Sequence, residues 1–240
     1  MTGMTWDELQ AASGAKLRSG KLSGRADVPG ITTDTRKIAP GDLFVALRGE
    51  NFDGAEFAAE ALAKGAKAVL VNAELSSSSE AALKKAKGAV LTVPDTLKAY
   101  QEIAHAWRMK FDIPVVAVTG SNGKTTTKDL TAAVLSGRGK VCRPAANYNN
   151  EVGLPLTLLG ITPEDTAAVV EIGMRGLGQI AALAPVAAPT IGIVTNVCEG
   201  HMELLGSIEN IAKAKAELAE AVPAGGTVIL NADDERVAAM

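Results

Sequence analysis

The stretch "PVVAVTGSNGKTTTKDLTAAVL", residues 114–135, decides how this chain is read. It opens as an apolar run of buried-strand length, passes through Gly120 and Gly123, and goes on with helical spacing over residues 125–136. A strand that turns through Ser121 and Asn122 into a helix points successive backbone N–H groups at one place, at the positive end of the helix dipole. That place suits a phosphate. Lys124 adds a point charge for terminal phosphates, and the Thr125 hydroxyl, followed by Thr126, is placed to hold a magnesium ion. The spacing departs from G-x-x-x-x-G-K-[ST], because Val118 stands five residues before Gly123. A tight strand-to-helix connection with no ligand is the competing reading, and the offsets of Lys124 and Thr125 speak against it.

Outward from this stretch the same alternation continues. "KVCRPA", "AAVVEIG", "PTIGIVTN" and "TVILNAD" read as strands, with helices near 177–184 and 207–221. On the amino-terminal side "DLFVALRG", "AKAVLVN" and "GAVLTVP" read as strands and helices fit 55–64, 80–87 and 95–110, the second opened by the "SSSS" tract as N-cap. Apolar runs alternating with helical stretches call for parallel strands joined by crossover helices, an α/β fold. The pattern strengthens from Pro114, which places a boundary at about 111–114. The expectation is a small N-terminal α/β domain over 1–110 and a mostly parallel-sheet domain of phosphate-loop type over 111–240.

Composition narrows the function. With 24 basic and 27 acidic residues and only 3% aromatics, the chain offers neither a basic stripe nor a stacking platform, so nucleic acid is not an expected partner. Cys142 and Cys198 lie far apart without metal-site spacing and read as free thiols of a reducing compartment. The N-terminus carries early acids and no apolar signal core, and no apolar run reaches the roughly 20 residues of a membrane span. A cytoplasmic location is expected.

Further groups gather around the phosphate stretch. Glu171 ends the "AAVVE" run, at the carboxyl end of a strand where ligands of open α/β sheets collect; in isolation a strand-end glutamate reads by default as surface, and the neighbouring phosphate loop turns the reading. Asn196 ends the next strand, and His201 follows in a loop. In "SIENIAKAKAEL" the stripe Ile208, Ile211, Leu218, Val222 fits a helical period and includes Lys215, while Lys213 sits about 140° away. A lysine on a buried face is costly to keep charged, so its pKa falls; a neutral amine there could take up carbon dioxide as a carbamate, unless it snorkels to water. "NYNNEVGLPLTLL" reads as a polar loop running into a short helix, with Asn149, Asn150 and Glu151 offering groups to a polar substrate or simply making a turn.

"VVAVTGSNGKTTTK" resembles the ATP loop of the Mur ligases, ATP-dependent amide-forming enzymes of bacterial cell-wall precursor synthesis, a loop shared with folylpolyglutamate synthetase. The resemblance implies ATP at Gly120, Ser121, Asn122, Gly123, Lys124, Thr125 and Thr126. It gives Glu171 to magnesium, His201 to a second metal ion, and a carbamylated lysine to Lys215, fourteen residues after His201. In "ILNADDERV", Asn231 and Asp234 fall at family positions near adenine and ribose, with a strand-end turn as the other reading. "NNEVGLP" is similar to the element of the family member that adds D-alanyl-D-alanine to UDP-N-acetylmuramoyl-tripeptide. "TTDTRKIAPGDLFVALRGENFDGAEF" resembles the part that grips the UDP-sugar end, through Asp34, Thr35 and Arg36, the last a natural phosphate partner. One departure is Ala55, where the family generally has histidine after "DG".

The family continues past the adenine motif, with more of the central sheet and a third domain that brings in the amino-acid substrate, whereas this chain stops at Met240. A related Mur ligase, a folylpolyglutamate synthetase, or a nucleotide-binding module without ligase activity stand as alternatives.

Overall fold

The computed structural model describes residues 3–49, 52–199 and 202–240. His201 therefore lies outside the described residues. The chain divides into two compact units, residues 1–103 and 104–240.

In the first unit the elements run α1 (Trp6–Ser13), β1 (Lys16–Ser19), β2 (Ile31–Thr32), β3 (Leu43–Val45), α2 (Ala58–Ala63), β4 (Ala68–Asn72), α3 (Ser77–Lys85), β5 (Ala89–Val93) and α4 (Thr96–Arg108), the last crossing the division. The strands form one sheet in the order β1-β5-β4-β3-β2, parallel except for β1, which runs antiparallel to β5. Residues Ala68–Val71 of β4 are buried without alternation, as a central parallel strand covered on both faces requires. Leu62 of α2 and Leu83 of α3 pack with Phe44, Val69, Val71 and Val90 in one core cluster. Helix starts follow local chemistry: the Thr5 hydroxyl and Glu8 carboxylate make a reciprocal capping box on α1, and the Ser76 hydroxyl accepts the Ser79 N–H at the head of α3.

The second unit contains β6 (Val115–Thr119), α5 (Lys124–Leu135), β7 (Lys140–Cys142), α6 (Gly153–Leu158), β8 (Asp165–Glu171), α7 (Gln179–Ala187), β9 (Ile191–Val194), α8 (Met202–Leu205), α9 (Ile208–Ala221), β10 (Thr227–Leu230) and α10 (Glu235–Ala238). All five strands are parallel, in the order β10-β9-β6-β8-β7. Because β7 and β8 lie on one side of β6 and β9 and β10 on the other, the winding reverses at β6. Ligands of open α/β sheets bind outside the carboxyl ends of the strands at such a reversal. The run "PVVAVTG" becomes this central strand, every residue of it buried.

Helix α7 runs to Ala187, three residues beyond the end its sequence pattern gives, through Pro185 in its last turn. Proline there removes one donor in a turn whose carbonyls find a partner elsewhere. Buried Arg108 donates from Nε to Ala187 O (3.1 Å), from Nη1 to Phe111 O (2.8 Å) and from Nη2 to Ile113 O (3.3 Å) and Ala188 O (3.4 Å). The guanidinium thus neutralises the negative end of α7 and ties the segment before β6 to it.

Candidate functional site

The loop after β6 is shaped by two glycines. Gly120 has φ 148°, and a Cβ there would overlap the Thr195 hydroxyl; Gly123 has φ 75° and is the N-cap of α5. Side chains resist both conformations. Between them, the Ser121 N–H donates to Asn196 O (2.9 Å) and the Asn122 N–H to Asn196 Oδ1 (2.8 Å). These two N–H groups therefore turn towards the segment after β9, a difference from the reading in which every loop amide faces one anion. The N–H groups of Gly123, Lys124, Thr125 and Thr126 have no partner among the described residues. They are the orphan donors of a helix start, and they carry the partial positive charge of α5.

Lys124 arches back over the loop, with Nζ donating to Gly120 O (2.8 Å) and Ser121 O (3.1 Å). An ammonium has three donors, so one is left for an anion. The Thr125 hydroxyl donates to Glu171 Oε2 (2.9 Å), and Asn149 Nδ2 donates to Glu171 Oε1 (2.8 Å). Glu171 is 2% exposed at the end of β8, so both carboxylate oxygens are fixed beside the head of α5. A hydroxyl and a carboxylate are hard oxygen donors, and this pair fits magnesium. No cluster of three or more His, Cys, Asp or Glu exists among the described residues.

The other site residues take distinct places. Lys215 is 3% exposed on the inner face of α9, while Lys213 is exposed. Burial, with Lys124 adding to it and Cys198 opposing, pushes the Lys215 pKa down to about 8. Asn231 Nδ2 donates to Thr195 O (2.9 Å), and Asp234 Oδ2 accepts the Val197 N–H (2.7 Å) while its Oδ1 caps α10. Both brace the segment after β9 from the next strand. The loop before α6 divides its work: Asn149 holds Glu171, and Asn150 Oδ1 accepts the Gly153 N–H (2.8 Å) at the start of α6. Glu151 is exposed.

In the first unit Asp34 and Arg36 form a fork, Nε to Oδ1 at 2.9 Å and Nη2 to Oδ2 at 2.8 Å, at the turn that begins with Thr35. The Arg36 guanidinium holds the Asp34 carboxyl below the usual carboxylate range, and the Arg36 side chain is 85% exposed. It is thus oriented and still open to a ligand. Ala55, where the family generally has histidine, is buried in the core cluster, and its N–H is taken by Asp53 Oδ1 (2.9 Å). Sequence reasoning left Thr195 and Asn196 without a role. Their signal was the pair of polar side chains directly after an apolar strand neighbouring the phosphate loop.

The family model "Mur ligase middle domain" matches residues 118–240, and "Mur ligase family, catalytic domain" matches residues 27–108. The chain belongs to the Mur ligase family. Among curated relatives of this Mur ligase chain, the UDP-N-acetylmuramoyl-tripeptide--D-alanyl-D-alanine ligase of Synechocystis is 51% identical over 213 residues, 89% of this chain and 46% of the relative. The enzyme of the same name from Escherichia coli is 43% identical over 220 residues, 91% and 46% of the two chains. Among solved structures, MurF from Acinetobacter baumannii superposes with a TM-score of 0.88 at 29% identity, covering 98% of this chain and 50% of that one. MurF ligase from Thermotoga maritima in complex with ADP gives 0.74 at 30% identity, over 85% and 46%. The chain thus spans about half the length of the relatives it matches.

Proposed function

We propose that this Mur ligase chain carries the precursor-binding and ATP-binding parts of an enzyme that joins D-alanyl-D-alanine to UDP-N-acetylmuramoyl-tripeptide, in cytoplasmic peptidoglycan precursor synthesis. The observation that carries the reading is the free first turn of α5, Gly123 to Thr126, with Lys124 arched over it and the Thr125–Glu171 pair alongside. The identity to relatives of that name, and the "NNEVGLP" element, support this member of the family over the tripeptide-forming ligases or folylpolyglutamate synthetase.

In this reading the terminal carboxylate of the tripeptide attacks the γ-phosphorus of ATP, ADP leaves, and the dipeptide amine displaces phosphate from the acyl phosphate through a tetrahedral intermediate. The protein neutralises and positions; no side chain forms a covalent bond to substrate. The α5 N–H groups and Lys124 take phosphate oxygens, and Asn231 and Asp234 hold the segment that faces adenine and ribose. Thr125, Glu171 and His201, with Lys215 as its carbamate, would hold two magnesium ions, which would add charge neutralisation at the phosphates. Asn149 steadies Glu171, and in this reading the same loop meets the polar substrate through Asn150 and Glu151. Asp34, Thr35 and Arg36 take the UDP end.

Calorimetric titration with MgATP tests the reading. The 240-residue chain should show saturable binding, and Lys124→Ala should weaken it by at least about tenfold, because a charge and its hydrogen bonds to phosphate are lost. Unchanged affinity would remove the loop from the mechanism.

A further inference from the structure

The loop that meets the phosphate is held only in part by its own side chains. Gly120 and Gly123 bracket it with positive φ and carry no Cβ, so the peptides they flank, 120–121 and 122–123, are the least restrained by side chains. Lys124 Nζ holds the Gly120 and Ser121 carbonyls. A 122–123 peptide rotated by half a turn would present the Asn122 carbonyl to the anion instead of the Gly123 N–H, and the contacts on that carbonyl come from outside the loop.

The contacts that do so converge on one residue. Asn196 Oδ1 accepts the Asn122 N–H at 2.8 Å, and Asn196 Nδ2 donates to the Asn122 carbonyl at 3.1 Å. A carboxamide presents an acceptor and a donor in fixed geometry, and it matches the donor and acceptor of Asn122 in reverse. The backbone carbonyl of Asn196 also takes the Ser121 N–H at 2.9 Å. Thr195 adds a second donor to the Asn122 carbonyl, Oγ1 to O at 2.6 Å, and the Ser121 hydroxyl bridges the Cys198 carbonyl and N–H at 3.1 and 2.9 Å. Asn196 thus engages three polar groups of two consecutive loop residues.

We propose that Asn196 is a positioning residue for the phosphate loop: its carboxamide locks the two peptides that flank Asn122, so that the anion meets only the N–H groups of Gly123 to Thr126. This deepens the ATP-site reading and rests on it. Preorganised donors act on an anion without reorganisation at the moment of binding, so releasing the lock should weaken phosphate binding with no contact to the ligand lost.

The test combines amide exchange and nucleotide titration on the full chain. In Asn196→Ala the Asn122 amide should exchange at least about tenfold faster by NMR, while the amides of Val116 and Val118 in β6 keep their rates, and MgATP affinity should fall about tenfold. Asn196→Asp keeps the shape and the acceptor but sets an oxygen against the Asn122 carbonyl; it should weaken MgATP binding further with a folded spectrum. Thr195→Val, which removes the second donor alone, should show the smaller loss of the three. An unchanged Asn122 exchange rate, or faster exchange with MgATP affinity within about twofold of wild type, overturns the proposal. Wild-type chain that binds no MgATP would sink the ATP-site reading instead, and the exchange comparison in the free protein would still decide the lock.

Discussion

Lys215 shows how one residue's burial becomes a pH-dependent property. Its amine has an ordinary pKa of 10.5, and in the fold burial and Lys124 bring it to about 8. Above the folded value and below the unfolded one, the unfolded chain binds more protons than the folded chain, so stability rises as pH increases from about 8 to 10.5. Below the folded value the charged amine remains a fixed cost to the fold. The gain should reach about 3 kcal/mol at most, and Lys215→Met should flatten it and be the more stable protein near neutral pH. Urea midpoints of both proteins between pH 7 and 10 check this; parallel curves would show that the amine reaches water. The same residue was legible in the sequence because the helical stripe that makes it core is a period, and periods survive without coordinates. The fork of Asp34 on Arg36 and the grip of Asn149 on Glu171 were not legible, because a pattern gives a residue's face but not its partner. Gly120 belongs between these cases. Its place before the loop was readable, but the Thr195 hydroxyl that excludes a Cβ comes from 75 residues further along the chain. Gly120→Ala should therefore displace the β9 end and abolish MgATP binding, which titration of the variant measures directly.

At the scale of elements, α9 is the part that ties the site to its surroundings. Its Lys215 is buried near Lys124, and two residues further on Glu217 accepts the Gly178 N–H at 2.6 Å and the Ala181 N–H at 2.9 Å. Glu217 thus caps the start of α7 from another helix, in place of the N-cap side chain that Gly178 lacks. A carboxylate on orphan donors at a helix start gains from both hydrogen bonding and the dipole. Glu217→Ala should lower stability by about 1–2 kcal/mol and Glu217→Gln by less, read as urea midpoints. Equal stability of the alanine variant would mean that water replaces the cap. Elements were read from sequence where their signal was internal. The strands "AKAVLVN", "GAVLTVP" and "PVVAVTG" are continuous apolar runs and became β4, β5 and β6. The edge strand β1, "KLRS", is exposed at every position and carries no pattern to read. Helix α1 carries a capping-box spacing at Thr5 and Glu8 that the sequence reading passed over, and α3 begins at Ser77 because Ser76, not a later serine, takes the cap.

Over the whole molecule, the second sheet has an edge strand at each end, β7 on one side of β6 and β10 on the other. Strand β10 pairs only with β9, and Val228 and Ile229 are 38% and 50% exposed. Successive strand residues point to opposite faces, so β10 leaves an apolar side chain uncovered on each face beside a row of unpaired backbone groups. Its neighbour β9 is instead covered by α9 and the residue that follows it: Leu218 and Val222 lie against Gly192. An edge of this kind recruits another strand, and in a solution of the 240-residue polypeptide by itself β10 of a second copy can pair with it. The chain should therefore scatter light increasingly with concentration. Ile229→Lys, a charge placed on the edge as natural sheets place it, should suppress that scattering. The change lies on a strand that does not touch the first turn of α5, so MgATP affinity should stay within about twofold of the wild type. Scattering that persists in Ile229→Lys would move the cause to another exposed apolar pair, Leu130 and Val134 one turn apart on α5, which are 63% and 77% exposed. Leu130→Lys would then be the variant that clears the solution. Because α5 also carries the phosphate loop at its head, MgATP should reduce association through that helix and leave association through β10 untouched.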